Sequence, residues 1–196
     1  MPLAPNLPDE RKHLEQECET LISEYDKVEG APLIKLKKPS ASGEMSMRKP
    51  ERKSWCERSI AMGRCTDVID ASPEEVLGYL YNSCCRDRMR ISREEGNPAR
   101  LPLNDDGRQA LFATIKLLPW PLYNREFVFQ HFWWEEGSGV YYLGVISPED
   151  IVDYGMTMKK VRAFTISLTK LEPLGEVGED GRYSQCQMVY TQVLDA

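Results

Sequence analysis

Between Phe127 and Trp134 both phases of a two-residue alternation are mostly apolar. Phe127, Phe129, His131 and Trp133 fall on one side, and Val128, Gln130, Phe132 and Trp134 on the other. A strand with one face in water carries polar residues in one phase, so this pattern predicts a strand covered on both faces. One face meets a helix, and the other lines either a solid core or a cavity for an apolar ligand. The stretch from Leu118 to Trp134 holds seven of the chain's eighteen aromatic residues and three of its four tryptophans. Whether that wall is plain core or faces a ligand is therefore the functional question.

The rest of the pattern supplies the covers. From Asp9 to Val28, the residues Leu14, Cys18, Leu21, Ile22 and Tyr25 recur mostly three and four apart, one stripe of an amphipathic helix that needs a sheet to dock on. Leu33 to Lys38 alternates as a short strand, and Glu44 to Arg48 reads as its returning partner. Ser59 to Asp70 reads as extended. Ser72-Pro73-Glu74-Glu75 then has the capping-box spacing, with Pro at the first helical position, and Val76, Leu77, Leu80, Tyr81 and Cys84 form the helix's apolar face. Arg88 to Glu95 reads as a further strand, Asn97-Pro98 through Asp105-Asp106-Gly107 as a loop, and Gln109 to Leu118 as a strand. Pro119 and Pro121 force a turn before the chain runs out again from Asn124. Gly137-Ser138-Gly139 makes a hairpin turn into Val140 to Ile146. Val161 to Leu171 alternates Phe164, Ile166 and Leu168 against Ala163, Thr165 and Ser167, and a turn at Gly178 to Gly181 leads to Tyr183 to Leu194. The class is α+β, with a long antiparallel meander after the internal helix.

At 196 residues the chain is long enough to bury a core without metal or disulfide. The six cysteines form no C-x-x-C pair, and Met1 to Pro5 opens no secretory leader, which together predict a cytoplasmic chain with free thiols. No apolar run approaches the roughly twenty residues of a membrane span, so any membrane contact is expected to be peripheral. A net charge of −6 argues against nucleic acid as a partner, because phosphate contacts need concentrated Lys and Arg. Between Ala31 and Ile60, however, eight basic residues stand against three acidic ones. That run is either a face for anionic lipid headgroups or an ordinary solvated surface.

The chemistry of most enzyme classes is missing. His13 and His131 are the only histidines, and no metal-ligand spacing, P-loop, nucleotide-binding glycine pattern or nucleophile elbow occurs, so no metal and no cofactor are expected.

Particular words in this order resemble the START domain, the steroidogenic-acute-regulatory-related lipid transfer module of the Bet v 1-like superfamily. They are Asp70-Ala71-Ser72-Pro73-Glu74-Glu75-Val76-Leu77, Leu118-Pro119-Trp120-Pro121-Leu122-Tyr123-Asn124-Arg125-Glu126-Phe127-Val128, Val161-Arg162-Ala163 and Tyr190-Thr191-Gln192-Val193-Leu194-Asp195. The similarity runs from about Trp55 to Ala196. It implies a helix-grip fold, in which a curved antiparallel sheet wraps a long C-terminal helix around a lipid or sterol tunnel. Residues 1–30 are then an N-terminal helix belonging to the domain, and 31–196 the START-like lipid-binding domain. The family's gripped C-terminal helix has no counterpart before Ala196. On this reading the domain is C-terminally incomplete, and an apolar concavity lined by Phe127, Phe129 and Trp133 is expected to stand exposed.

The resemblance implies non-covalent binding of a lipid or sterol, for transfer or sensing. The expected ligand-binding residues are Phe112, Phe127, Phe129 and Trp133 as wall, with Arg125, His131 and Arg162 meeting a polar head. Several sterol-binding relatives carry a second arginine where His131 stands, so ligand identity does not carry over. Histidine also hydrogen-bonds without arginine's permanent charge. A one-residue slip in register would replace the wall by Val128, Phe132 and Trp134. Two other functions stay open. One is a cavity enzyme of the cyclase or hydrolase type using Arg125, His131 and Tyr142, and the other a regulatory module that binds membrane or protein through its basic N-terminal third.

Overall fold

The computed structural model describes residues 12–13, 16–20, 23, 25, 34–35, 43–48, 60–105, 109–137, 139–148, 154–155, 158–178 and 181–195. The strands are β1 (Ile34–Lys35), β2 (Glu44–Arg48), β3 (Ile60–Ile69), β4 (Ala99–Asp105), β5 (Gln109–Lys116), β6 (Asn124–Glu136), β7 (Val140–Ile146), β8 (Lys160–Arg162), β9 (Phe164–Val177) and β10 (Tyr183–Asp195). They form one curved sheet in the order β1-β2-β3-β10-β9-β7-β6-β5-β4, with β8 added in parallel to β6.

β6 is covered on both sides by different parts of the chain. On one face, Phe132 lies with Leu168 and Ile146 against Cys18, and Ile166 and Val193 pack near Tyr25. Cys18 and Tyr25 belong to the N-terminal segment, whose described residues from 12 to 25 are helical. Leu14, Leu21 and Ile22 of the expected stripe lie outside the described residues. Arg64 anchors this contact, its guanidinium carbon 4.3 Å from the centre of the Tyr25 ring.

The opposite face meets helix α1 (Pro73–Tyr81). Val76 and Leu77 of the helix pack with Leu143, Leu171 and Cys186, flanked by Trp133, Tyr141, Val145 and Met188. The expected capping box starts α1. The Ser72 hydroxyl accepts from the Glu75 amide at 3.3 Å, and the Glu75 carboxylate accepts from the Ser72 amide at 3.1 Å.

Two segments differ from expectation. Arg88 to Glu95, read as a strand, is helical: it lies within α2 (Arg86–Glu94) and its C-cap. Met89 and Ile91 suggest alternation, but the stronger signal is charge spacing. Arg90 pairs with Asp87 at 2.6 Å and Glu94 at 2.8 Å, contacts that only a helical repeat brings together. The loop expected through residues 97–107 contains β4. Proline is tolerated there because β4 is the sheet edge, and the pairing with β5 shifts register just after Pro102.

Gly144 is the tightest point of the Phe132 face. It sits directly across from Phe132 in the β6–β7 register, and a side chain added there would collide with that ring. Gly144→Ala is therefore expected to displace Phe132 and cost about 2 kcal/mol of stability. A denaturant midpoint equal to that of the parent protein would show that Phe132 moves aside freely.

Candidate functional site

The register decides which residues share the α1 side. Side chains two apart on β6 point the same way, so Phe127, Phe129 and His131 lie on the face that carries Trp133. Phe112 stands across from Phe129 on β5 and joins them. Phe112 and Phe129 tilt together at 5.0 Å between ring centres, Phe127 stacks on Phe129 at 5.4 Å, and Phe112 meets His131 edge-on at 4.6 Å. Five of the seven expected site residues thus form one continuous aromatic wall. Phe112 and His131 are buried, whereas Phe127, Phe129 and Trp133 are half-buried. These three are therefore less open than the exposed concavity expected from the sequence.

His131 is held at the helix end, where its Nδ1 lies 3.3 Å from the Tyr81 carbonyl oxygen. A carbonyl only accepts, so Nδ1 carries the proton and Nε2 is left as an acceptor. Burial drives the ring's pKa down to about 3. The Tyr81 contact opposes this shift, while the charges on Arg88 and Arg100 reinforce it. The histidine is neutral at physiological pH and offers a hydrogen bond, not a charge.

The two expected head-group arginines divide between the faces, Arg125 on the wall side by its place two before Phe127 and Arg162 on the other. Arg125 is half-buried where β6 begins, and its Nη1 donates to the Tyr123 carbonyl at 2.9 Å. Arg162 pairs in register with Glu126, whose side chain belongs to the Phe132 face. Its Nη1 lies 3.3 Å from Glu126, and Lys160 reaches the same carboxylate at 2.8 Å, with the Tyr154 hydroxyl as a third donor. Burial would raise the Glu126 pKa, but these three hydrogen bonds outweigh it and hold the carboxylate below its usual range. Tyr142 is also on the Phe132 side, stacked on Trp134 at 5.0 Å, with its pKa pushed up to about 12 by burial and by Glu136. Arg125, His131 and Tyr142 therefore do not converge on one point.

Sequence reasoning missed a row of hydroxyl side chains on the same face of the sheet. Leu168 and Ile166 of β9 face the N-terminal segment, so the other phase of β9 looks toward α1's side of the sheet. That phase is Thr165, Ser167 and Thr169, all buried, and across from them on β10 stand Gln192 and Tyr190. The Gln192 amide donates to the Thr165 hydroxyl at 2.8 Å, and that hydroxyl donates to the Val193 carbonyl at 2.8 Å. Burial raises the Tyr190 pKa against a hydrogen bond with Ser167. The Thr165/Ser167 alternation was visible in the chain, but only the register shows which phase faces which cover.

No protein-family model and no curated protein matches this chain. Solved structures do. The human StarD13 (DLC2) lipid transfer and protein localization domain superposes with a TM-score of 0.61 at 15% identity, covering 93% of this chain and 82% of that one. Human STARD10 gives 0.61 at 15% identity, covering 100% and 71%. A STAR-related lipid transfer protein from Xanthomonas axonopodis gives 0.59 at 18% identity, covering 84% and 81%.

His131 sets a pH dependence. Its folded pKa lies below the ordinary value of 6.5. As pH falls through that value the unfolded chain takes up a proton that the folded chain refuses, so stability declines until about pH 3. Glu126 is lowered from 4.5 and adds its own loss only further down. The unfolding free energy is expected to drop by about 2 kcal/mol from neutrality to about pH 5, and His131→Phe to flatten that interval. Denaturant titrations at both pH values read the slope, and an unaltered slope in the variant would remove His131 as its source. At this identity the comparisons speak for architecture, and the architecture is that of a START domain: the chain carries the START-domain fold.

Proposed function

We propose that this protein binds a lipid or sterol non-covalently between the aromatic wall of β5 and β6 and the hydroxyl wall of β9 and β10, for lipid transfer or sensing. The observation that carries this reading is the half-buried Phe127–Phe129 pair. α1 packs around Trp133 and, through Tyr81, reaches His131, while the two phenylalanines lie further along the same strand. Apolar tails placed against them leave water at about 0.8 kcal/mol per methylene. Two structural neighbours, the StarD13 domain and the Xanthomonas axonopodis protein, are lipid transfer proteins by name, which supports the same ligand class.

At His131 itself the polar chemistry suits a ligand hydroxyl, and Arg100, whose guanidinium carbon lies 5.3 Å from the centre of the Phe112 ring, adds a cation on the same face. His131 is neutral and keeps an acceptor nitrogen, and the buried hydroxyls of Thr165, Ser167 and Thr169 lie on the same face of the sheet. A sterol or glyceride hydroxyl donates to such an acceptor, whereas a phosphodiester has no proton to give. Arg125, His131 and Tyr142 lie apart, and we do not read them as a catalytic centre. The N-terminal segment, buried against the sheet through Cys18 and Tyr25, is read as part of the same domain as residues 31–196. Five free thiols among the described residues suit a reducing cytoplasmic compartment. No described helix is long and apolar enough to cross a membrane.

Native mass spectrometry and lipid extraction of the purified protein test the proposal together, by detecting and naming a bound lipid. Phe129→Asp places an unpaired charge in the wall and is expected to abolish the lipid adduct while circular dichroism keeps the parent's strand signal. A folded variant that retains the same adduct would move the ligand away from this wall.

A further inference from the structure

Strands β2 and β3 bring three sulfur-bearing side chains onto one patch of the sheet. Met45 stands directly across from Cys65 in the β2–β3 register, and Met47 lies across from Gly63. Met62 and Arg64 are turned to Tyr25, so the alternate residues Gly63 and Cys65 point to the α1 side, as Ile69 does where it packs against the helix cluster. Met45, Met47 and Cys65 therefore share a face, and each is half-buried, within reach of solvent. Cys65 is a free thiol. The patch also has room in it. Among the described residues, a β-carbon built on Gly63 would meet only the Ser46 carbonyl oxygen, 3.9 Å away, which leaves space beside Cys65 and Met47.

The spacing suits one small ion. Directly opposed residues of an antiparallel pair hold their β-carbons about 5 Å apart, and diagonal neighbours about 7–8 Å. Metal–sulfur bonds of about 2.3 Å place two sulfurs on one ion about 4 Å apart. Methionine spans that difference, because its unbranched stem carries the sulfur two bonds beyond the β-carbon on rotatable bonds. The donor set selects the ion. One thiolate with two thioethers is a soft set, and soft sulfur ligands select copper(I). Zinc takes thiolate, imidazole and carboxylate instead, and no group of three such residues stands together among the described residues. Charge balance agrees. Copper(I) replaces the thiol proton of Cys65, which passes to solvent, and no electron is transferred. Cation and thiolate then cancel, so the half-buried patch holds no net charge and avoids the desolvation cost of one.

We propose that Met45, Met47 and Cys65 form an all-sulfur site for a single copper(I) ion. The site does not depend on lipid binding: Tyr190, across from Cys65 on one side and from Thr169 on the other, separates it from the hydroxyl row of β9. The expectation of no metal rested on histidine and cysteine spacing, a signal in which thioethers do not appear. The register is what brings the methionines of one strand to the cysteine of the next.

The test uses the full chain, reduced and free of oxygen, titrated with copper(I) supplied as its coloured bicinchoninate complex. The parent protein is expected to withdraw one equivalent of copper(I) from that competitor. Cys65→Ser is expected to weaken this binding about a hundredfold, and Met45→Leu combined with Met47→Leu about tenfold. Leucine keeps close to methionine's volume, so the double variant should retain the parent's strand signal in circular dichroism. Cys84→Ser combined with Cys85→Ser, which removes the adjacent thiols outside the patch, is expected to leave the equivalent in place. X-ray absorption at the copper edge of the loaded parent protein is expected to show sulfur neighbours alone, and this reading stands even if a variant fails to fold. A parent protein that takes no copper(I) from the competitor overturns the inference. So does an equivalent held as tightly without the two methionines, one that disappears with Cys84 and Cys85, or nitrogen or oxygen in the copper's shell.

Discussion

A strand apolar in both phases must be covered twice, and in this chain the two covers come from opposite directions in sequence. The N-terminal segment brings Cys18 and Tyr25 to the Phe132 face, and α1 brings Val76 and Leu77 to the Trp133 face. Burying a ring such as Phe132 contributes roughly 2–3 kcal/mol against leaving it in water. Neither cover can be lost without exposing several such groups. Gly144 shows how closely the first cover is set, because the Phe132 ring occupies the place of its missing side chain.

The same constraint creates the site. α1 is short, and its contacts centre on Trp133, Tyr141, Leu143 and Leu171, which leaves the Phe127 end of the wall beyond its reach. Strand β9 then fixes the chemistry of the facing side. Its apolar phase is committed to the N-terminal segment, so its hydroxyl-bearing phase has to point the other way. One wall is aromatic and the other hydrogen-bonding, an arrangement that suits a molecule with a long apolar body and a small polar group. Glu126, Arg162 and Lys160 satisfy one another on the opposite side, where removal of one partner would strand a buried charge, while Arg100 stands on the aromatic face with its guanidinium carbon 5.3 Å from the centre of the Phe112 ring.

Most of the elements along the chain, and the two apolar phases of β6, were legible in the sequence, because they rest on local signals. The capping box at Ser72, the two-phase apolar run of β6 and the glycines after it each act within a few residues. Helix α2 was misread because Met89 and Ile91 imitate alternation, whereas its charge pairs act at a spacing of three and four. Strand β4 was hidden by Pro102, which is harmless on an edge. Arg162 and the Thr165–Ser167–Thr169 row depend on which phase of a strand meets which cover, and that is fixed by pairing between residues far apart in the chain. The exposure of Trp120 is illegible for the same reason. The word that carries the family resemblance also carries a tryptophan, and only the three-dimensional turn shows that its ring leaves the protein.

The position of that turn connects the surface to the interior. β6 starts at Asn124, directly after the loop, and rises about 3.3 Å per residue, so Phe127 lies about 10 Å and His131 about 23 Å along the strand. Phe127 stands first along this face, then Phe129 with Phe112 across from it, and His131 lies at the far end. A neutral His131 suits the buried far end of this wall. A permanent charge buried there would carry a desolvation penalty of its own, whereas an imidazole held by the Tyr81 carbonyl offers its free nitrogen without one.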